Sequence, residues 1–220
     1  MEWRLLEGVP AADVGRLIQV ARRRRFRRGE VVFHRDDPGD SMHLISAGRF
    51  AIRILAPLGD QVTIAIRGPG ESFGEMALVG GGRRSATVEA LDAAETFCVY
   101  KTDFDELRRS HPRVTELVIT FLTNEVRMLN ERLVEALYVS AELRVLRRLS
   151  EVVALFGSGA DGDIVVPLTQ EELATLAGTS RATVNATLGD AQRRGILELG
   201  RGKVHVRDVD ALAARARIRH

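Results

Sequence analysis

The hydrophobic period of this chain changes once, and that change limits what the chain can fold into. Between Glu30 and Lys101 apolar residues recur in steps of two, as in Phe50-Ala51-Ile52-Arg53-Ile54 and Val62-Thr63-Ile64-Ala65-Ile66. Successive side chains of a strand point to opposite faces, so this stretch predicts strands with one buried face. Turn residues interrupt it at Asp37-Pro38-Gly39-Asp40, Ala47-Gly48, Leu58-Gly59-Asp60, Gly68-Pro69-Gly70 and Gly80-Gly81-Gly82. Many short strands at that spacing predict a β-sandwich or a jelly-roll barrel. From His111 the period is helical, with Val114, Val118, Leu122, Val126, Leu129, Leu133 and Ala136 three or four residues apart. A stripe so narrow and long suits a coiled-coil seam between two copies of the chain. It also suits a helix lying on its own barrel, and the two coexist if Leu117 and Phe121 widen the stripe at its start.

The ends follow the same logic. Residues 3–20 carry a short helical pattern through Leu5, Leu6, Val9, Val14, Leu17 and Ile18. The arginine run from Arg22 to Arg28 reads either as a nucleic-acid patch or as a solvated edge before the first strand. Ser140 reads as the cap of a helix from Ala141 to about Phe156, stopped by Gly157 and followed by a loop to Gly162. A hinge falls at Tyr138-Val139-Ser140. The expected domains are therefore a barrel over 1–110, a dimerisation helix over 111–138 and a C-terminal domain over 139–220.

In that last domain, Leu168 to Val184 has the chemistry of a helix-turn-helix. Thr169 and Glu172 form a capping box. Leu173, Ala174, Leu176 and Ala177 face inward, and Gly178 supplies the positive φ that a tight turn needs. Ser180 caps a second helix that Val184 and Leu188 bury and Gly195 ends. Ile196–Leu199 and Lys203–Val206 read as strands around Gly200-Arg201-Gly202, which is a wing. A plain helical hairpin is the alternative, but cap, glycine and wing stand in register for winged DNA binding.

Composition narrows the setting. The chain has 220 residues, a net charge of +2 and 45% hydrophobic residues, which suits a globular protein of two compact units. No run approaches the ~20 apolar residues of a membrane span, and the N-terminus lacks a signal pattern, so a cytoplasmic, membrane-free protein is expected. The single cysteine, Cys98, lies in a strand-like segment and reads as a buried thiol rather than a reactive one. No metal triad or nucleophile–base pairing is visible, so neither an enzyme nor a metal site is expected. From Leu168 onward nine basic residues stand against six acidic ones, which permits nucleic-acid binding.

The stretch Phe73-Gly74-Glu75-Met76-Ala77-Leu78, followed after five residues by Arg84-Ser85-Ala86-Thr87-Val88-Glu89-Ala90, resembles the phosphate-binding cassette of cyclic-nucleotide-binding domains. Together with the winged helix it is similar to the cAMP receptor protein/FNR superfamily of bacterial transcription regulators, over essentially the whole chain. The resemblance implies an α+β fold: an N-terminal cyclic-nucleotide-binding jelly-roll β-barrel, a long dimerisation helix and a C-terminal winged helix-turn-helix. It implies a homodimer, a near-palindromic double-stranded DNA operator, RNA polymerase as a partner, and a cyclic nucleotide effector, cAMP or else cGMP. A guanidinium pairs with the two exocyclic oxygens of a cyclic phosphate, and a hydroxyl adds a bond. By resemblance those groups are Arg84 and Ser85, with Glu75 accepting from the ribose 2′-hydroxyl and backbone N–H groups around Gly74, Glu75, Met76 and Ala77 facing the anion. Arg83 stands beside Arg84 as a rival. The alternative is a structural remnant with Arg84 paired to Glu75. Where the cAMP-binding archetype contacts adenine with a Thr-Ser pair, this chain has Leu129-Asn130, and Asn130 retains an amide suited to a base edge. The cysteine cluster of oxygen-sensing members is absent, and lone His34, His43 and His111 are weak evidence for haem.

The same resemblance places Arg181 where the family reads a guanine. Thr183 and Asn185 are polar readers, Ser180, Arg201 and Lys203 hold phosphates, and Thr169 completes the expected DNA-contacting set. Ala182 and Ala186 stand where the archetype has a Glu and a second Arg, which loosens the neighbouring base positions.

Overall fold

The structure, a computed structural model, describes residues 3–56, 59, 61–79, 82–157 and 163–217. Leu58 and Asp60 of one expected turn, Gly80 and Gly81 of another, residues 158–162 of the expected loop and the side chain of Leu117 lie outside them. Two compact units are present, Met1–Gln61 with Ala65–Met128, and Leu129–His220 with Val62–Ile64.

The first unit opens with a 3-10 turn at Arg4–Leu6 and α1 at Ala11–Val20. The single helical pattern of residues 3–20 is thus two pieces: the first stops where Glu7 turns extended and Gly8 takes φ +86°, and Pro10 stands at the N-cap of the second. Eight strands follow: β1 (Arg22–Phe26), β2 (Val31–Phe33), β3 (Ser41–Ala47), β4 (Phe50–Leu55), β5 (Gln61–Arg67), β6 (Ser72–Phe73), β7 (Thr87–Ala90) and β8 (Ala94–Tyr100). The short helix α2 (Met76–Val79) lies between β6 and β7. They form two four-stranded sheets, ordered β1-β8-β3-β6 and β2-β7-β4-β5. Phe26, Ile45, Phe50, Phe73, Val88 and Ala90 come from both sheets into one core. His43 stacks on Phe73 with ring centroids 4.9 Å apart, and its Nδ1 lies 2.9 Å from Thr96 Oγ1.

The arginine run is not a segment before the first strand; it is that strand. Arg22–Phe26 pairs antiparallel with β8 at the edge of its sheet, all four arginines exposed and only Phe26 buried. Arg23 and Arg25 share Glu95 at 2.7 and 3.1 Å, and Arg22 lies over the Tyr100 ring. Main-chain pairing needs no apolar side chain, and charge on an edge discourages pairing with a second molecule. Cys98, opposite Arg22 and His43, is buried, and burial raises its thiol pKa.

Helix α3 (Lys101–Ser110), which the period-two reading passed over, precedes α4 (Arg113–Tyr138). The stripe of α4 divides by position. Val114 and Val118 are buried in a second cluster with Trp3, Met42, Leu78, Val99 and Phe104, and Leu122 packs beside it. Val126, Leu129 and Leu133 are exposed, as are Ile119 and Leu137, with Leu129 at 62%.

The second unit holds α5 (Ala141–Phe156), β9 (Ile164–Val166), α6 (Gln170–Ala177), α7 (Arg181–Arg193), β10 (Leu197–Gly200), β11 (Lys203–Val206) and α8 (Val209–Ala216). β9 and α8 were not visible as patterns. β9 completes a sheet ordered β10-β11-β9, and Leu212 of α8 is fully buried. Ser140 caps α5 by accepting from the Leu143 N–H, and Gly157 ends it at φ +69°. Arg144 joins the hinge to the helix-turn-helix: it donates to the carbonyls of Val139 (2.8 Å), Ala177 (2.9 Å) and Gly178 (2.9 Å).

His43 gives the barrel a testable pH response. Burial, with the charges of Arg84 and Arg24, pushes its pKa down to about 3. An unfolded imidazole protonates near 6.5. Between those values the unfolded chain holds a proton that the folded one does not, so stability falls as the pH is lowered from about 6.5, by up to about 1.4 kcal/mol per pH unit. Urea unfolding across that window should show this slope in the wild type and a shallower one in His43→Gln. Parallel slopes would refute the assignment.

Candidate functional site

The cassette is built around one buried guanidinium. Arg84 is 5% exposed. Its Nη1 donates to the Ser41 carbonyl and, at 3.3 Å, to that of Gly74; Nη2 donates to Ser41 Oγ at 2.9 Å. The guanidinium carbon lies 4.1 Å from the centre of the Phe33 ring, a cation–π contact. Burial lowers the Arg84 pKa, and Asp40 and Asp37 oppose that shift. Gly74 has φ +84°, and a Cβ there would stand 2.8 Å from Arg84 Nη1 and 3.2 Å from the Ser41 carbonyl oxygen. Gly39 is equally confined, since its Cβ would meet that of Ala77 at 2.5 Å and Arg84 Cδ at 3.3 Å.

Glu75, half-buried, is the cassette's other ionisable side chain, with one carboxyl oxygen enclosed. Its Oε2 has no hydrogen-bond partner among the described residues, and neither does Arg84 Nε. Burial raises the Glu75 pKa; its own backbone N–H and the charges of Arg67 and Arg84 oppose that, and Glu125 reinforces it. Arg84 and Glu75 are not joined by an ion pair, so the closed-off remnant with these two bonded to each other is not what forms. Ser85 is exposed and its Oγ contacts Met76 Sδ at 3.6 Å, while Ala77 is buried. Gly74, Glu75, Met76, Ala77, Arg84 and Ser85 thus belong to one cassette. The Ala77 and Leu78 N–H groups are bonded within it to the carbonyls of Gly74 and Glu75. Asn130 is exposed on the part of α4 assigned to the second unit.

The two neighbouring arginines part by the chain's path. Arg83 bridges Pro38 and turns outward, donating to the Asp36 carbonyl at 2.7 Å, while Arg84 turns in. The sequence reading missed Ser41, Phe33 and Gly39. Gly39 and Ser41 lay in or beside a segment read only as a turn.

The second unit presents the DNA-reading chemistry. Thr169 Oγ1 accepts from the Glu172 N–H at 3.1 Å, and Glu172 Oε2 accepts from the Thr169 N–H at 2.8 Å, so the capping box is complete. Gly178 is left-handed at φ +59°. Ser180 Oγ accepts from the Thr183 N–H at 3.2 Å and lies 3.0 Å from Thr183 Oγ1. Both hydroxyls are therefore partly committed to the cap. Val184, Leu188 and Ala191 bury one side of α7, leaving Arg181, Ala182, Asn185 and Ala186 exposed. Leu173, Ala174 and Ala177 are buried as expected, whereas Leu176 is half-exposed. Asp190 fixes the far end of α7 by accepting from Arg194 (2.9 Å) and from Arg215 of α8 (2.8 Å).

At the wing, Gly200 pairs with Lys203 and Gly202 turns at φ +68°. Thr169, Arg181, Arg201 and Lys203 line one groove of about 440 Å³, together with Gln170, which the sequence reading did not single out. Three cations there face one acid, Glu171, an arrangement that favours a phosphate backbone.

Both units contain segments that match known protein families. Residues 23–111 match the cyclic nucleotide-binding domain and residues 132–215 the Crp-like helix-turn-helix domain. The chain is 31% identical over 218 residues to a CRP-like cAMP-activated global transcriptional regulator of Mycobacterium tuberculosis, covering 97% of this chain and 96% of that one. It is 30% identical to the cyclic AMP receptor protein of Thermus thermophilus, covering 94% of each. The crystal structure of the Thermus thermophilus catabolite activator protein matches with a TM-score of 0.57 and 30% identity, over 97% of this chain and 98% of that one. A cyclic-nucleotide-binding barrel followed by a Crp-like DNA-binding domain, shared end to end with these regulators, makes this chain a member of the CRP/FNR family of transcription regulators.

Proposed function

We propose that the chain is a cytoplasmic homodimer that binds a near-palindromic DNA operator and is switched by a cyclic nucleotide, cAMP first, in its barrel. Its partners in this reading are double-stranded DNA, a second copy of the chain and RNA polymerase. The observation that carries the ligand is that two buried polar atoms of the cassette, the donor Arg84 Nε and the acceptor Glu75 Oε2, have no partner among the described residues. Leaving such atoms unsatisfied costs about 1–3 kcal/mol each. A cyclic phosphate and a ribose hydroxyl would answer that donor and that acceptor, with Ser85 adding a hydroxyl at the cassette's exposed edge. Two relatives named for cAMP, each matched over at least 94% of this chain, support that nucleotide. Asn130 is the residue proposed to meet the base.

One observation favours a second reading, a ligand-independent regulator whose barrel is only a scaffold. Both Nη groups of Arg84 already have protein acceptors. Calorimetry separates the two. Either cAMP or cGMP should bind the wild type, and Arg84→Ala should weaken binding by about 2 kcal/mol, roughly thirtyfold. No heat with either nucleotide would leave the scaffold reading.

The dimer rests on the exposed residues of α4. Ile119, Val126 and Leu133 are exposed and spaced by seven, which is the repeat of a coiled-coil seam. Val126→Asp with Leu133→Asp places charge in that seam while sparing Val114 and Val118. Sedimentation of this variant should show a monomer with a native far-UV spectrum. A persisting dimer would place the interface elsewhere.

Two recognition helices related by a dimer axis read half-sites about one helical turn, ~34 Å, apart. Arg181 is exposed at the start of α7 and suits bidentate pairing with guanine. Asn185 is exposed one turn on; Thr183 and Ser180 lean on each other and Thr169 on Glu172, so these three act chiefly by positioning backbone N–H groups. Selection from random duplexes should return a palindrome with one strongly kept guanine per half. Arg181→Ala should cost ~1–3 kcal/mol per half-site and relax that position, while Lys203→Ala should weaken all sequences alike and flatten the salt dependence. Equal stringency across the half-site would show that Ala182 and Ala186 do not loosen it.

A further inference from the structure

A groove of about 700 Å³ opens in the second unit between the start of α5, α7 and the end of α8. None of its lining residues belongs to the cassette or to the groove at the wing. Three guanidiniums line it, those of Arg193, Arg215 and Arg217, against two carboxylates, Asp190 and Glu142. Asp190 is already engaged. Its Oδ2 accepts from Arg215 Nη2 at 2.8 Å and from Arg194 Nε at 2.9 Å, and its Oδ1 lies 3.4 Å from Arg193 Nη2. One carboxylate therefore answers three guanidiniums. Arg217 stands exposed just beyond α8, and Glu142 is exposed in the first turn of α5. Arg215 has a further donor, Nη1, which is enclosed and has no partner among the described residues. The remaining lining is partly apolar: Leu146 is buried and Leu143 half-buried on α5, and Ala186 and Ala214 present methyl groups.

We propose that this groove binds a small organic oxyanion, a phosphate monoester or carboxylate that carries an apolar group, with Arg215 and Arg217 on the anionic head and Leu143 and Leu146 against the apolar body. An enclosed donor without an acceptor is costly, and an oxyanion supplies acceptors in the fork geometry a guanidinium presents. The Arg215 side chain is 32% exposed, so Nη1 can turn to a ligand while Nη2 keeps Asp190. The surplus of guanidiniums over carboxylates favours an anion, and apolar walls beside a few convergent polar groups are the usual make-up of a small-molecule site. A duplex backbone also offers phosphates, but it brings no apolar group for Leu143 and Leu146. The ligand would bridge α5, α7 and α8, so the recognition helix forms one wall of the site.

The test uses the full chain, with methyl NMR to locate binding and calorimetry to weigh it. The probes are phenyl phosphate, inorganic phosphate and benzyl alcohol. Phenyl phosphate should shift the Leu143 and Leu146 methyl signals and bind about tenfold more tightly than inorganic phosphate, because the ring buries apolar area. Benzyl alcohol, which has the ring without the charge, should shift neither. Arg215→Lys keeps a cation for Asp190 but removes the second N–H arm, and should weaken phenyl phosphate by about tenfold. Arg217→Gln leaves the Asp190 cluster untouched and should weaken it by about threefold. If Arg215→Lys fails to fold, Arg217→Gln decides alone. No shift at Leu143 and Leu146, shifts that benzyl alcohol reproduces, or shifts confined to Leu78 by the cassette or Leu199 by the wing would overturn the proposal. So would variants that weaken DNA binding yet hold phenyl phosphate as the wild type does, a result that would give the groove to the DNA backbone.

Discussion

A guanidinium buried in a β-barrel must be matched by acceptors, or it costs several kcal/mol. Much of the cassette follows from how Arg84 is matched here. Ser41 gives it a carbonyl and a hydroxyl, Gly74 a second carbonyl and Phe33 an aromatic face. Each places a demand on its neighbours. Gly74 and Gly39 have no room for a side chain because the Arg84 side chain and Ala77 occupy it. His43 stays neutral beside that charge and stacks on Phe73 instead of binding a proton. The cassette is therefore a packed electrostatic unit before any ligand enters, and the atoms it leaves unanswered, Arg84 Nε and Glu75 Oε2, are of the kinds a nucleotide would use.

The DNA-binding unit is organised by backbone economy. Helix ends leave N–H groups without intrahelical partners, and here side chains of the motif supply acceptors. Thr169 with Glu172, Ser180, Ser140 and Asp208 each cap a helix start. Arg144 takes up the carbonyls at the end of α6 and at the hinge. At the start of α7, Ser180 and Thr183 are engaged in this way, whereas Arg181 and Asn185 are exposed.

The long helix changes character along its length. Its first turns bury Val114 and Val118 in the cluster that also holds Leu78, the residue next to Ala77 in the cassette. Its later turns expose Val126, Leu129, Leu133 and Leu137. One apolar stripe thus begins inside its own domain and continues as exposed surface, the surface that the proposed dimer would cover. Arg67 and Glu125 add an electrostatic tie beside the apolar one.

How much of this was legible in the chain itself depends on the range of the interaction. The capping box at Thr169 and Glu172, the left-handed Gly178, the wing turn at Gly202 and the stop at Gly157 were readable because each is settled within a few residues. The strand and helix periods were readable because each element's burial repeats along it. Features settled by distant partners were not. The arginine run became a strand because β8, some seventy residues later, offers it a ladder. Arg84 rather than Arg83 turned inward because Pro38 bridges Arg83, and Ser41 receives Arg84 across 43 residues. β9 and α8 are short segments that are buried by packing on β11 and α5. The sequence by itself determined the two kinds of domain and the helix-turn-helix, because local hydrogen bonding and periodicity write those, and the cassette was legible through its resemblance to a known motif. Only the tertiary structure decided which charges are buried together and which part of the long helix remains exposed, because burial and pairing belong to neighbours that the sequence holds far apart.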